Sequence, residues 1–167
     1  MDIYENFFVS NLLDSIEEEL KKKQFVPALF LALTVPDICS GGNKKYKEWY
    51  DKWVAGRDGS DMINGGICYE KLRCKILHEG RVASGYSLNC DSKNDIRLGH
   101  IKLVTTDGRT GEKDELIEVC INDLVESIVA GARDYIKANN DIGLFRLTDF
   151  GKYEGSGILL DFDVRRE

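Results

Sequence analysis

The sequence predicts a mostly α fold, a bundle of about five helices with a β-hairpin before the last. Three observations predict it. Apolar residues recur every three to four positions through 2–23, 43–56, 66–79 and 123–138, the period of an amphipathic helix. Residues 25–40 are apolar on most sides, as a helix central to a bundle is. Between 96 and 121 the pattern changes to two short β-branched runs around Asp107, Gly108 and Gly111, which reads as a hairpin with a long loop.

In chain order, the first helix (2–23) places Ile3, Phe7, Phe8, Leu12, Ile16 and Leu20 on one side. Its three glutamates at 17–19 and three lysines at 21–23 suit a solvated face and a cationic last turn. Pro27 fits the first turn of the second helix. Pro36 lacks an N–H, so it must kink that helix or start a short continuation, which Gly41-Gly42 ends. Asp37 stands at this kink, with two roles open to it: capping the continuation, or reaching Arg73 across the bundle. The third helix (43–56) carries Tyr46, Trp49, Tyr50 and Trp53 at i, i+3, i+4 and i+7 between lysines. Such rings can stack nucleobases, but a stripe of this spacing more often packs as core. A polar loop, 57–66, leads to a helix that starts at Gly65-Gly66 and stops at Gly80, where glycine takes a left-handed cap. Residues 81–95 suggest no regular element, and His100 reads as a surface residue. A lone hairpin is marginal, so 96–121 must lie on the bundle or pair with another strand. Asp123 and Glu126 form a capping box for the last helix (123–138). Leu124, Val125, Ile128, Val129, Ala132, Tyr135 and Ile136 make its apolar face, and Gly131 signals a close helix approach. The tail, 139–167, holds apolar stretches at 144–147 and 158–162 that suit docking on the bundle or extending the sheet.

The 167 residues suit a single domain, 1–167, with a full core, at 43% hydrophobic and 31% charged residues. No run approaches a membrane span, so no membrane partner is expected. Five cysteines without C-x-x-C spacing favour reduced thiols and a cytoplasmic location. The net charge of −6 disfavours generic nucleic-acid binding. Residues 43–81 are the exception, with nine Lys/Arg against six acids.

That basic block contains the helix with the most informative pattern. Cys68, Leu72 and Ile76 form its core stripe with Tyr69 beside them. Away from the stripe, a second arc holds Glu70, Arg73, Cys74, Leu77 and His78, where a purely solvated face would show Lys and Glu. At about 100° per residue, Arg73 and His78 lie about 140° apart, too far for one close pair within a single helix. The segment Leu72-Arg73-Cys74-Lys75-Ile76-Leu77-His78-Glu79-Gly80 resembles the R-x4–6-H motif of HEPN domains, in one bacterial subgroup of that superfamily. The resemblance covers roughly 1–138 as architecture and is specific only within 68–80.

The resemblance implies a homodimer in which two motifs face each other, with Leu77 and Cys74 at the interface. It further implies a metal-independent endoribonuclease of a toxin or defence system, acting on RNA beside a cognate antitoxin or defence partner. Arg73 would clamp phosphate and His78 act as acid and base, chemistry that suits arginine's bidentate donors and histidine's titration range. Lys71, Lys75 and Arg81 would bind substrate, and Asp37, Glu70 and Cys74 would support. Active members usually carry a polar residue where Cys74 stands. The alternative is therefore an inactive binding dimer in which His78 caps helix carbonyls and Arg73 pairs with Glu70, Asp37 or a partner. Neither cofactor nor metal is expected: Glu70, Cys74 and His78 recur at four-residue steps but span about 12 Å, too far for one ion.

Overall fold

The computed structural model describes residues 7–41, 45–57, 61–90, 100–106, 109, 111 and 113–139. It is mostly helical with a small three-stranded sheet. The expectations for Ile3, for the side chains of Phe7 and Phe8, and for the tail after 139 lie outside these residues.

Helix α1 (Phe7–Lys21) packs on α2 (Phe25–Ala32) and on the last helix. Its buried line is Val9, Leu13 and Ile16, whereas Leu12 and Leu20 are only half-buried. The stripe is thus turned from the expected one, because α1 must face two helices at once. The apolar segment 25–40 breaks before Pro36 into α2 and α3 (Val35–Ser40). The Thr34 hydroxyl donates to the Leu31 carbonyl at 2.7 Å at the break, and Gly41 ends α3 with φ 77°. Asp37 therefore sits in the first turn of a redirected helix.

Helix α4 (Tyr46–Trp53) buries Tyr46, Trp49 and Tyr50, so the aromatic stripe is core. The next helix starts as α5 (Gly65–Ile67), where the Asn64 side chain accepts from Ile67 N–H. It continues as a π-helical stretch (Cys68–Arg73) and ends as α6 (Cys74–Glu79), capped by Gly80 at φ 65°. The buried stripe is Cys68, Leu72 and Ile76, as expected. Each buried Leu or Ile in it contributes about 1.5–3 kcal/mol. The wide turn was not legible in the pattern.

Strand β1 (Tyr86–Asn89) falls in the segment read as irregular. It pairs in parallel with β3 (Lys113–Cys120), with Tyr86 opposite Ile117 and Leu88 opposite Val119. β3 pairs antiparallel with β2 (Ile101–Thr106), with Leu103 opposite Leu116. The hairpin is present, and β1 is the further strand that supports it. β3 runs directly into α7 (Ile121–Ala138). The helix starts two residues earlier than expected, at an N-cap, Cys120, that makes no side-chain capping bond; Asp123 and Glu126 are not its capping box. His100 is buried, at 6% exposed, not a surface residue: its Nδ1 accepts the Cys120 N–H at 3.2 Å. At Gly131 a Cβ would lie 2.5 Å from the Trp53 carbonyl oxygen, the expected close approach.

All five cysteines are free, with Cys39 and Cys68 buried. Burial pushes both of those thiols up to about 12. Thiol titration should count five in the denatured, unreduced protein, and Cys39 and Cys68 should resist a polar reagent while the fold is intact. A denatured count of three or one would reject this.

Candidate functional site

The site is built where the redirected α3 meets the motif helix. Asp37 Oδ2 accepts from Arg73 Nε at 3.0 Å and from Nη2 at 2.8 Å. Arg73 and Asp37 are 14% and 16% exposed, so this ion pair is largely withdrawn from water. Of the roles open to Asp37, contact with Arg73 is the one observed. The opposite side of the guanidinium faces outward: Nη1 lies 3.2 Å from His78 Nε2 and 3.9 Å from Cys74 Sγ. The Tyr69 ring supports the guanidinium, with Cζ 5.4 Å from its centroid.

Arg73 and His78 are therefore a close pair within one helix, contrary to the helical-wheel expectation. A wheel compares directions from the axis and ignores reach. Five residues of helix rise only about 7.5 Å, which a long arginine side chain can cover. The wide turn ending at Arg73 also departs from the regular angular step.

Burial raises the pKa of Asp37, and the charge and hydrogen bonds of Arg73 offset this only in part. Its second oxygen, Oδ1, is buried without a hydrogen-bond partner. An ion pair held this way is weak as a source of stability. His78 is exposed, at the rim where a ligand could reach it.

The surrounding cations are mostly paired. Glu70 binds Lys47, not Arg73, and its pKa is lowered by that hydrogen bond. Glu79 holds Lys75 and Arg81 together, and bonds to both lower its pKa. Lys71 is exposed and has no salt bridge among the described residues. Cys74 is partly exposed. Leu77 is half-buried against the chain's own core, so it is only in part available to a second copy. Three participants escaped the sequence reading of this site: Tyr69 as support, and Lys47 and Glu79 as counter-ions. Tyr69 stands four residues before Arg73, the spacing of side-chain neighbours on a helix, and that signal could have found it.

Among the described residues, no three His, Cys, Asp or Glu side chains converge as a metal site requires, and no helix is long and apolar enough to cross a membrane. No protein-family model matches the chain, and no curated protein or solved structure matches it.

Proposed function

We propose that the chain is a HEPN-like homodimer that cleaves single-stranded RNA without a metal, as a bacterial toxin or defence effector. The observation that carries the reading is the 3.2 Å approach of Arg73 Nη1 to His78 Nε2, with the guanidinium held from behind by Asp37. A phosphate clamp and a proton-transfer group then stand side by side at a rim. Arg73 would donate to the non-bridging oxygens of the scissile phosphate and meet the charge that grows there. His78 would take the 2′-hydroxyl proton. The 2′-oxygen–phosphorus bond forms and the bond to the 5′-oxygen breaks, leaving a 2′,3′-cyclic phosphate. The His78 of a second copy, entering the step as the imidazolium, would protonate the departing 5′-oxygen and leave as the neutral ring. Purified protein with single-stranded RNA and EDTA should yield fragments ending in the cyclic phosphate. Intact RNA at micromolar protein would reject the enzyme.

A second reading, a binding dimer without catalysis, is favoured by the pairing of Lys75 and Arg81 with Glu79. That pairing leaves little free positive charge for RNA. Both readings need the dimer. Leu77→Glu should give monomers by light scattering where the wild type is dimeric, and a monomeric wild type at micromolar concentration would remove both.

A further inference from the structure

Each of the chain's two histidines has a donor aimed at one ring nitrogen, the Cys120 N–H at His100 Nδ1 and Arg73 Nη1 at His78 Nε2. The Cys120 N–H donates to His100 Nδ1 at 3.2 Å, so the His100 proton resides on Nε2. A guanidinium has donors and no acceptor. As a hydrogen bond to the neutral ring, the 3.2 Å contact from Arg73 Nη1 makes His78 Nε2 the acceptor and places the His78 proton on Nδ1. A free imidazole favours the other form, so something must impose this one.

We propose that Asp37 is the positioning residue of the site: by locking one edge of the Arg73 guanidinium, it aims Nη1 at His78 and sets the tautomer of that imidazole. Asp37 Oδ2 receives both Nε at 3.0 Å and Nη2 at 2.8 Å. Because the guanidinium is planar, fixing that edge fixes where Nη1 points. Tyr69 supports the plane, and the break before Pro36 places Asp37 in the first turn of α3. The arrangement leaves Asp37 Oδ1 buried and unpartnered, a cost that a purely stabilising pair does not explain. Burial also raises the Asp37 pKa despite Arg73, in keeping with that cost.

The catalytic consequence rests on the ribonuclease reading above. An incoming phosphate oxygen takes over the Nη1 hydrogen bond, and the Nε2 lone pair is released beside the 2′-hydroxyl. Nε2 accepts that proton while Nδ1 keeps its own, giving an imidazolium as the 2′-oxygen–phosphorus bond forms.

The tautomer can be read without any substrate, by nitrogen-15 NMR of histidine-labelled protein at about pH 9, above the ordinary imidazole range. The wild type should show one histidine of each tautomer. Asp37→Ala should move His78 toward the Nε2–H form and leave His100 unchanged. Asp37→Asn, which keeps an acceptor oxygen in place, should retain more of the Nδ1–H form than Asp37→Ala. Should Asp37→Ala not fold, Arg73→Lys retains a cation opposite Asp37 without the second edge and should show the same shift. A wild-type His78 protonated at Nε2, or a tautomer indifferent to the variants that fold, overturns the proposal. In a cleaving wild type, Asp37→Ala should lower kcat about 10²-fold with KM changed far less, and an unchanged kcat also overturns it. A wild type with the expected tautomer but no cleavage rejects the ribonuclease reading and leaves the role of Asp37 standing.

Discussion

In the proposed ribonuclease, His78→Ala should lower RNA cleavage by a factor of about 10² to 10⁴, the usual loss for one acid/base group, with no change in melting temperature. His78 is exposed and only touches the outer nitrogen of Arg73. Arg73→Ala should not share that neutral effect on stability. Removing Arg73 strands Asp37, 16% exposed with Oδ1 already unpartnered. Breaking such a pair costs about 3 kcal/mol, or about 6–12 °C in Tm for a chain of this size. The cost should depend on pH. Burial already raises the Asp37 pKa and Arg73 opposes that, so without Arg73 it rises further above the unfolded value of about 3.9. A carboxylate with a raised folded pKa binds protons more tightly in the native state, so stability falls as pH rises between the two values. The destabilisation should be full above the folded pKa and fade as pH falls toward 3.9. Parallel melts of both variants at neutral and acidic pH, with cleavage assayed in EDTA, check these outcomes. An Arg73→Ala protein as stable as wild type would show the pair to be screened by water, and cleavage surviving His78→Ala would remove its catalytic role.

What could be read from the sequence was the part set by residues close along the chain. The buried line Cys68, Leu72, Ile76 and the left-handed cap at Gly80 follow from spacing and residue type alone. The broken helix at Pro36 and the close approach at Gly131 follow from what proline lacks and glycine allows. β1 could not be read: four residues with no strong alternation become a strand because β3 offers a parallel partner about thirty residues away. The burial of His100 likewise depends on Cys120 across the sheet, and the start of α7 on β3 running straight into it. At the site, Arg73 and His78 were found by motif, yet their contact was excluded by a wheel that ignores side-chain reach. The pairing of Lys75 and Arg81 through Glu79 is local, within six residues. A count of charges does not show it, because the count does not separate a free cation from one held by a neighbouring acid.

Gly65→Ala should be the most damaging small substitution in the motif helix. A Cβ there would fall inside van der Waals distance of the Lys47 carbonyl oxygen, and 2.8 Å from the carbonyl carbon and Cα of the same residue. Those are backbone atoms of α4 and cannot rotate away. The Gly65 N–H also donates to Asp51 Oδ1 at 2.6 Å, so the helix start cannot slide without losing that bond. The expected cost is about 3 kcal/mol, the upper range for overpacking, or about 6–12 °C in Tm. Two neighbours provide the scale. At Gly66 the added methyl meets only the Asn64 Oδ1 at 3.3 Å, the atom that caps Ile67 N–H; alanine's better helix propensity offsets the small shift asked of that cap, and Gly66→Ala should stay within about 0.5 kcal/mol of wild type. At Gly80 the space is open but φ is +65°, so Gly80→Ala should cost about 1–2 kcal/mol through backbone strain alone. Urea melts of the three variants should therefore rank Gly65, Gly80, Gly66 from worst to mildest. Gly65→Ala should also impair the site at temperatures where it remains folded. The bond between the Tyr46 hydroxyl and Cys68 Sγ at 3.3 Å and the Lys47–Glu70 ion pair register the motif helix on α4, while Arg73 must still reach Asp37 on α3. A shift of a few tenths of an ångström at Gly65 is carried along the helix to that reach. Gly65→Ala melting no lower than Gly66→Ala would mean that α4 yields to the added methyl, and that the start of the motif helix does not set the position of Arg73.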